Sequence, residues 1–127
     1  MKDKCNKAQR EARKSIAEIA TEFEACRLTL AAIGDETRQQ IILALLGRDE
    51  GVRVGEITER TNLSRPAVSH HVKVLKDAGM IGVRRVGTMN FYFLDYDSSE
   101  LIKIERLCRH VRDLVVTPPG GGSRARG

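Results

Sequence analysis

Apolar side chains recur every three or four residues in three segments of the chain, the spacing that places them along one face of an α-helix. Residues 10–33 predict a long first helix that ends at Gly34, and residues 36–47 predict a second helix capped by Asp35. Residues 98–116 predict the last helix. The apolar positions of these three stripes are Ile16, Ile19, Ala20, Phe23, Cys26, Leu30 and Ile33, then Ile41, Ile42, Leu45 and Leu46, then Leu101, Ile104, Leu107, Cys108, Val111, Leu114 and Val115.

A pair of shorter helices is predicted between the second and the last of these. Residues 54–81 have the pattern of a short amphipathic helix, a tight turn at residues 62–63, and another helix. Ser64 is a good N-cap for that helix, and Pro66 is tolerated in its first turn, where backbone N–H groups have no helical partner. Gly79 is a typical C-terminal stop. The pattern predicts a helix-turn-helix, whose second helix can enter the DNA major groove.

The pattern changes from helical to alternating after Gly79. Residues 80–86 and 90–94 alternate on either side of residues 87–88, Gly-Thr, which predicts a β-hairpin. The complete order of elements is α-α-α-α-β-β-α. This order predicts a mainly α fold with a small β-hairpin, a winged helix-turn-helix.

One domain is predicted, at residues 16–116. Residues 1–15 carry six basic and two acidic side chains and predict a basic N-terminal arm. Residues 117–127, Thr-Pro-Pro-Gly-Gly-Gly-Ser-Arg-Ala-Arg-Gly, predict a disordered tail, because such a composition buries little apolar surface.

The periodicity of the second helix of the motif separates a buried side from an outward side. Val68, Val72 and Leu75 fall on the side expected to pack against the domain. His71 lies nearer to that side, which favours a packed or partly buried histidine. The outward positions of this helix with its cap, and polar positions near the hairpin tip, are the candidate DNA-binding residues: Ser64, Arg65, Pro66, Ser69, His70, Lys73, Arg84, Arg85, Thr88 and Asn90.

The distribution of charge strengthens that prediction. Residues 64–90 hold five basic side chains against one acidic side chain, although the net charge of the whole chain is only +5. The N-terminal arm and the tail, with Arg124 and Arg126, are also basic, so the remainder of the chain is net negative. Segregated basic charge is typical of a protein that binds a polyanion, and it predicts salt-sensitive binding.

Other classes of function find little support in the sequence. The chain has no Gly-rich phosphate loop, no His-Glu-x-x-His and no Gly-x-Ser-x-Gly, so we expect no enzyme and no cofactor. No segment approaches ~20 consecutive apolar residues, which predicts no membrane span. Three widely spaced cysteines do not form a disulfide framework and favour a cytoplasmic location.

Three segments of the chain resemble the ArsR/SmtB family of bacterial transcriptional repressors. They are residues 30–38, Leu-Ala-Ala-Ile-Gly-Asp-Glu-Thr-Arg, residues 63–79, with the specific core Ser-His-His-Val-Lys-Val-Leu, and the hairpin residues 83–88 and 91–94. The resemblance implies a homodimer that packs its first and last helices together. It also implies binding to a near-palindromic double-stranded operator and release by an inducer, whose identity the residues do not give. The domain at residues 16–116 would then serve both DNA binding and dimerisation.

The chain departs from the family at its usual metal sites. Many members carry Cys-x-Cys on the first helix of the motif, whereas residues 56–59 here read Glu-Ile-Thr-Glu. Others place several ligands on the last helix, where this chain has His110. Cys108 and His110 are two positions apart, which directs them to different sides of a helix and prevents joint chelation. We therefore predict no metal site.

The cysteines leave two interpretations open. Cys26 and Cys108 lie on the stripes of the two helices that the family packs together, with Cys5 on the basic arm. A proximal dithiol could sense oxidants, persulfides or arsenite. Alternatively, Cys26 and Cys108 are small buried hydrophobic residues, which react poorly because burial raises the pKa of a thiol.

The sequence as a whole predicts a DNA-binding transcriptional regulator, a homodimeric repressor released by an unidentified signal, for which a thiol-reactive agent is one candidate. The alternative from another class is a winged-helix protein–protein adaptor that does not bind DNA. The basic charge of residues 64–90 argues against the adaptor, which has no need of it.

Overall fold

The computed structural model describes residues 13–95 and 99–115 of the 127. The predicted arm up to residue 12 and the predicted tail at residues 117–127 lie outside the described residues. Within the described ranges the chain forms six helices and two strands: α1 (Ile16–Ala25), α2 (Arg27–Ile33), α3 (Glu36–Leu45), α4 (Val54–Thr61), α5 (Arg65–Asp77), β1 (Ile81–Val86), β2 (Met89–Leu94) and α6 (Ser99–Val115). The predicted fold, mainly α with a small hairpin, is confirmed.

Helix α1 begins later than its apolar stripe predicted. Ser15 and Glu18 form a capping box, in which the Glu18 N–H donates to Ser15 Oγ (3.1 Å) and the Ser15 N–H donates to Glu18 Oε1 (2.9 Å). Residues 13–15 precede the helix. The predicted start at residue 10 is therefore wrong.

The segment predicted as one long helix is divided at Cys26, where the backbone leaves helical geometry (φ −97°, ψ 4°). The division lets the two halves pack in different places. Ile19 and Cys26 bury against Leu107 of α6, while Ala32 joins the main core. Because residues 16–33 contain neither glycine nor proline, the sequence gives no sign of this break.

Buried Thr29 of α2 connects three elements. Its hydroxyl lies within hydrogen-bond distance of the carbonyl oxygen of Ala78, at the end of α5 (3.2 Å), and of Glu100 Oε1, in the first turn of α6 (3.4 Å). Such a contact satisfies a polar group that would otherwise be costly to bury. Thr29 therefore fixes the C-terminal end of α5 against α2 and α6.

The main core lies between α3, the two helices of the motif and the base of the hairpin. Of the α3 positions predicted to face inward, Ile41 and Leu45 are fully buried and Ile42 is half-buried. Leu46 is 57% exposed, so its predicted burial is wrong. It is the C-cap of α3, where the backbone has become extended and no longer follows the helical spacing. The other members of this core include Val52, Ile57, Val68, Val72, Leu75, Met80 and Ile81.

The hairpin has a two-residue turn at Gly87 and Thr88, as the sequence predicted. Val86 pairs with Met89, and the antiparallel register continues to Ile81 opposite Leu94. Gly87 has φ +63°, a left-handed conformation that glycine adopts without strain. None of the helices in the described part of the chain is long and apolar enough to cross a membrane.

Candidate nucleic-acid interface

Helix α5 is held at both ends by local hydrogen bonds. The Ala67 N–H donates to the side-chain oxygen of Ser64 (3.2 Å), the cap that the sequence predicted. At the other end, Gly79 adopts φ +82°, its N–H donates to Lys76 O (3.0 Å), and the Met80 N–H donates to Leu75 O (2.9 Å). These two bonds form a Schellman motif, which ends the helix and turns the chain into β1.

The two sides of α5 differ as its periodicity predicted. Val68, Val72 and Leu75 are buried in the main core. The structure places every candidate DNA-binding residue at the exposed surface, on α5 and its cap or near the hairpin tip: Ser64, Arg65, Pro66, Ser69, His70, Lys73, Arg84, Arg85, Thr88 and Asn90. Lys73 also pairs with Asp77 one turn later (3.1 Å), an exposed contact of small energetic value.

His71 is half-buried and contacts Arg38 of α3. Arg38 Nη1 donates to His71 Nδ1 (3.3 Å), and the same guanidinium donates to the carbonyl oxygens of Ala32 (2.9 Å) and Ala31 (3.2 Å). Because an arginine side chain has donors only, Nδ1 must accept, which leaves the proton of a neutral imidazole on Nε2. Arg38 therefore holds α5 to α2 and α3. Sequence periodicity placed His71 correctly but gave no sign of its partner.

The two arginines of the hairpin are partly engaged by the protein. Arg84 Nη2 donates to the carbonyl oxygen of Glu50, and its guanidinium carbon lies 5.8 Å from the centre of the Phe91 ring. Arg85 Nε donates to Gly87 O (3.2 Å) at the turn. These contacts order the arginines while leaving both residues exposed. The hairpin therefore presents ordered positive charge beside α5.

Glu56 of α4 has two arginine partners. Arg48 Nη1 donates to its carboxylate from one side (2.8 Å), and Arg60 Nε donates from one turn further along α4 (3.1 Å). The Arg48 guanidinium beside Glu56 lowers the pKa of that carboxyl. Glu56 is therefore engaged in two ion pairs on the surface of α4. The spacing of four residues between Glu56 and Arg60 is the sequence feature that could have predicted their ion pair.

The two described cysteines occupy different environments. Cys26 is 2% exposed and packs with Ile19 and Leu107, and burial raises the pKa of its thiol. Cys108 is exposed, in a surface cavity that it shares with Arg109 and Arg112. Its predicted position on the buried stripe of α6 is therefore wrong within one subunit, because Leu107, the preceding residue, occupies that position.

His110 of α6 contacts α1 and no metal-ligand cluster. Its Nδ1 donates to Glu22 of α1, with both carboxylate oxygens at 2.9 Å. Among the described residues, no group of three or more His, Cys, Asp or Glu side chains is arranged to hold a metal ion. The contact serves instead to join the first and last helices.

Comparison with known proteins decides the family. Residues 35–82, which contain α3 and the helix-turn-helix, match the family described as "Bacterial regulatory protein, arsR family". The uncharacterized HTH-type transcriptional regulator MJ1325 of Methanocaldococcus jannaschii is 36% identical over 83 residues, which are 65% of this chain and 92% of that protein. The chain belongs to the ArsR family.

Two further proteins are similar to this ArsR-family chain. The transcriptional repressor SdpR of Bacillus subtilis is 41% identical over 64 residues, 50% of this chain and 69% of SdpR. The structure of reduced HlyU from Vibrio cholerae superposes with a TM-score of 0.59 at 28% identity, covering 80% of this chain and all of that one. The ArsR-family chain is therefore a winged-helix, DNA-binding transcriptional regulator and not an enzyme.

Proposed function

We propose that the protein is a cytoplasmic, homodimeric repressor that reads a near-palindromic operator with α5 and its wing. The observation that carries the proposal is the two-sided construction of α5, with a buried apolar side and an exposed side of small polar and basic groups. Ser69 and His70 can bond base edges in the major groove. Arg65 and Lys73 can pair with phosphate or guanine.

The hairpin supports the same arrangement. Arg84 and Arg85 are exposed, and Thr88 and Asn90 lie at or beside the turn. A wing beside a recognition helix can reach the phosphates or the minor groove next to the site that the helix reads. We propose that these four side chains position the protein on DNA and leave base selection mainly to α5.

Exposed apolar side chains on the first and last helices support a dimer. Phe23 is 49% exposed and lines an open groove of about 730 Å³ along α1 and α2, whose other apolar members include Ala20, Leu30 and Ala31. Val115, at the end of α6, is also exposed. Burial of this apolar surface against a second copy would lower the free energy of the dimer.

The proposal also covers the release of DNA. The signal is unidentified, and if it is thiol-reactive, we propose that it acts at Cys108. Cys108 is accessible, in a surface cavity that it shares with Glu105, Arg109 and Arg112, whereas Cys26 is buried with a raised pKa. Cys26 packs with Leu107, the residue before Cys108, at the α1–α6 contact through which a change at Cys108 would reach the subunit arrangement.

The test of base readout is the double substitution Ser69→Ala, His70→Ala. We expect it to remove sequence preference, at a cost of about 1–3 kcal/mol for each lost base contact, and to leave the fold intact because both residues are exposed. The measurement is binding to a selected operator and to scrambled DNA. Gln40→Ala, an exposed and uncharged change on α3, is the control. An unchanged operator preference in the double variant would place the reading face elsewhere.

The thiol proposal has its own test, in a Cys5→Ser background that removes the cysteine of the arm. We expect a thiol-specific reagent to label Cys108 rapidly in the native protein and Cys26 only after unfolding. Operator binding is then measured with and without oxidant, for the parent and for Cys108→Ser. Release that persists in Cys108→Ser would remove this cysteine from the mechanism, and release by neither protein would leave a signal of another class.

A further inference from the structure

A third surface lies between the two parts of the proposed reading face. It is a polar groove of about 810 Å³, bounded by α4, by the first turn of α5 and by the tip of the hairpin. We call it the interhelix–wing groove. Its lining residues include Arg53, Arg60, Arg65, Thr88 and Asn90. Only the last three of these belong to the sequence-predicted interface.

Basic side chains outnumber acidic ones along the groove. Arg53, Arg60 and Arg65 are exposed and line it together with the acids Glu56 and Glu59. The carboxylate of Glu56 is shared between Arg60 and Arg48, and Arg48 does not line the groove. Arg48, which also pairs with Glu50, offsets part of the charge of Glu56, so the three arginines of the groove face Glu59 and a partly neutralised Glu56.

The floor of the groove suits an anion that approaches closely. It contains the N-terminus of α4, where the first backbone N–H groups of a helix have no partner within the helix and favour negative charge. No atom lies within 4 Å of the position that a Cβ on Gly55 would occupy, so the backbone there faces open space. Arg53 precedes the helix as its N-cap; its side chain is exposed, lines the groove and has hydrogen-bond donors only, which suits an anionic partner.

DNA geometry supplies the occupant. A major groove and the adjoining minor groove are separated by one sugar–phosphate strand. If α5 lies in the major groove and the hairpin tip contacts the adjoining minor groove, that strand must pass between them. The interhelix–wing groove occupies this position, since Arg65 of α5 forms one wall and Thr88 and Asn90 of the hairpin form the other.

We propose that the interhelix–wing groove seats one phosphate strand of the operator, and that Arg53 and Arg60 are DNA-backbone contacts. The inference rests on the proposed function, because it assumes the placement of α5 and the wing. It adds two residues outside the recognition helix and the wing. It also assigns Glu59 as an acid that opposes the bound phosphates.

The experiment compares two arginines that line the groove, Arg53 and Arg60, with Arg48, which does not line it. Arg53→Ala and Arg60→Ala should each weaken operator and random DNA alike, and each should reduce the slope of log affinity against log salt by about one. Arg48→Ala removes an equal charge from a residue that does not line the groove; it should weaken affinity by freeing the charge of Glu56, but it should leave the slope unchanged because no phosphate contact is lost. Thermal unfolding of each variant separates loss of contact from loss of fold.

Glu59→Gln is the complementary variant. If the groove does not contact DNA, this substitution should not raise the affinity for DNA. We expect it to bind DNA more tightly at low salt than the parent, with a difference that shrinks as salt screens the charges. Equal slopes for Arg48→Ala and Arg60→Ala, or no gain from Glu59→Gln, would overturn the inference while the parent still binds its operator. A parent that fails to bind any operator would instead overturn the proposed function.

Discussion

The Phe23→Glu protein is expected to be a monomer whose affinity for a complete operator is no higher than its affinity for a single half-site. Phe23 is half-exposed on the α1–α2 groove, and a charge there would oppose burial of that groove against a second copy. Because linkage of two half-sites can raise affinity by roughly 10²–10⁴, its loss should weaken operator binding by a similar factor. Sedimentation equilibrium and operator titration measure the two effects.

Leu43→Glu is the matched control for that experiment. Leu43 is 67% exposed but lies on α3, away from the proposed interface, so the variant should remain a dimer. Leu107 would be a poor choice, since it is buried within one subunit and a charge there would unfold the contact between α1 and α6. A dimeric Phe23→Glu protein would show that the subunits meet through another surface.

Leu75→Ala is expected to lower the free energy of unfolding by about 2–5 kcal/mol, the usual range for a fully buried leucine. Leu75 has no exposed surface, and its carbonyl accepts the Met80 N–H that closes the end of α5. The cavity would lie directly behind the reading face. We therefore expect weaker DNA binding even where the variant remains folded.

The matched control is Leu46→Ala, the same chemical change at a side chain that is 57% exposed. Its effect should stay within about 0.5 kcal/mol, because little apolar surface leaves contact with protein. Chemical denaturation compares the two variants when the free energy of unfolding falls with denaturant concentration at the same slope in both. Equal losses of stability would mean that the packing behind α5 is not what fixes the helix.

The helix-turn-helix could be predicted from sequence because its determinants are local. Ser64 and Gly79 mark the two ends of α5, and the spacing of its apolar positions gives the buried side without any distant contact. The hairpin was predictable for the same reason, since its two-residue turn and alternation lie within fourteen consecutive positions, 81–94. The family resemblance then added the expectation that the first and last helices pack together in a dimer.

Features that depend on tertiary distance were not predictable in this way. The break at Cys26 has no glycine or proline to announce it and is understood only from the different surfaces that α1 and α2 cover. The Arg38–His71 contact joins residues 33 positions apart. The interhelix–wing groove likewise exists only because the hairpin folds back beside α4, which no local pattern in residues 53–60 contains.

The contact of Thr29 fixes one end of α5, so a small rotation about that end moves the opposite end of the helix further. Its C-terminal end is fixed where α2 and α6 meet, while the thirteen residues of Arg65–Asp77 extend over about 20 Å along the proposed reading face. A rotation of about 3° about this pivot would displace the Ser64 end by about 1 Å, enough to take a hydrogen bond to a base out of range. Small adjustments at the pivot would thus be magnified at the Ser64 end, where we propose that the bases are read.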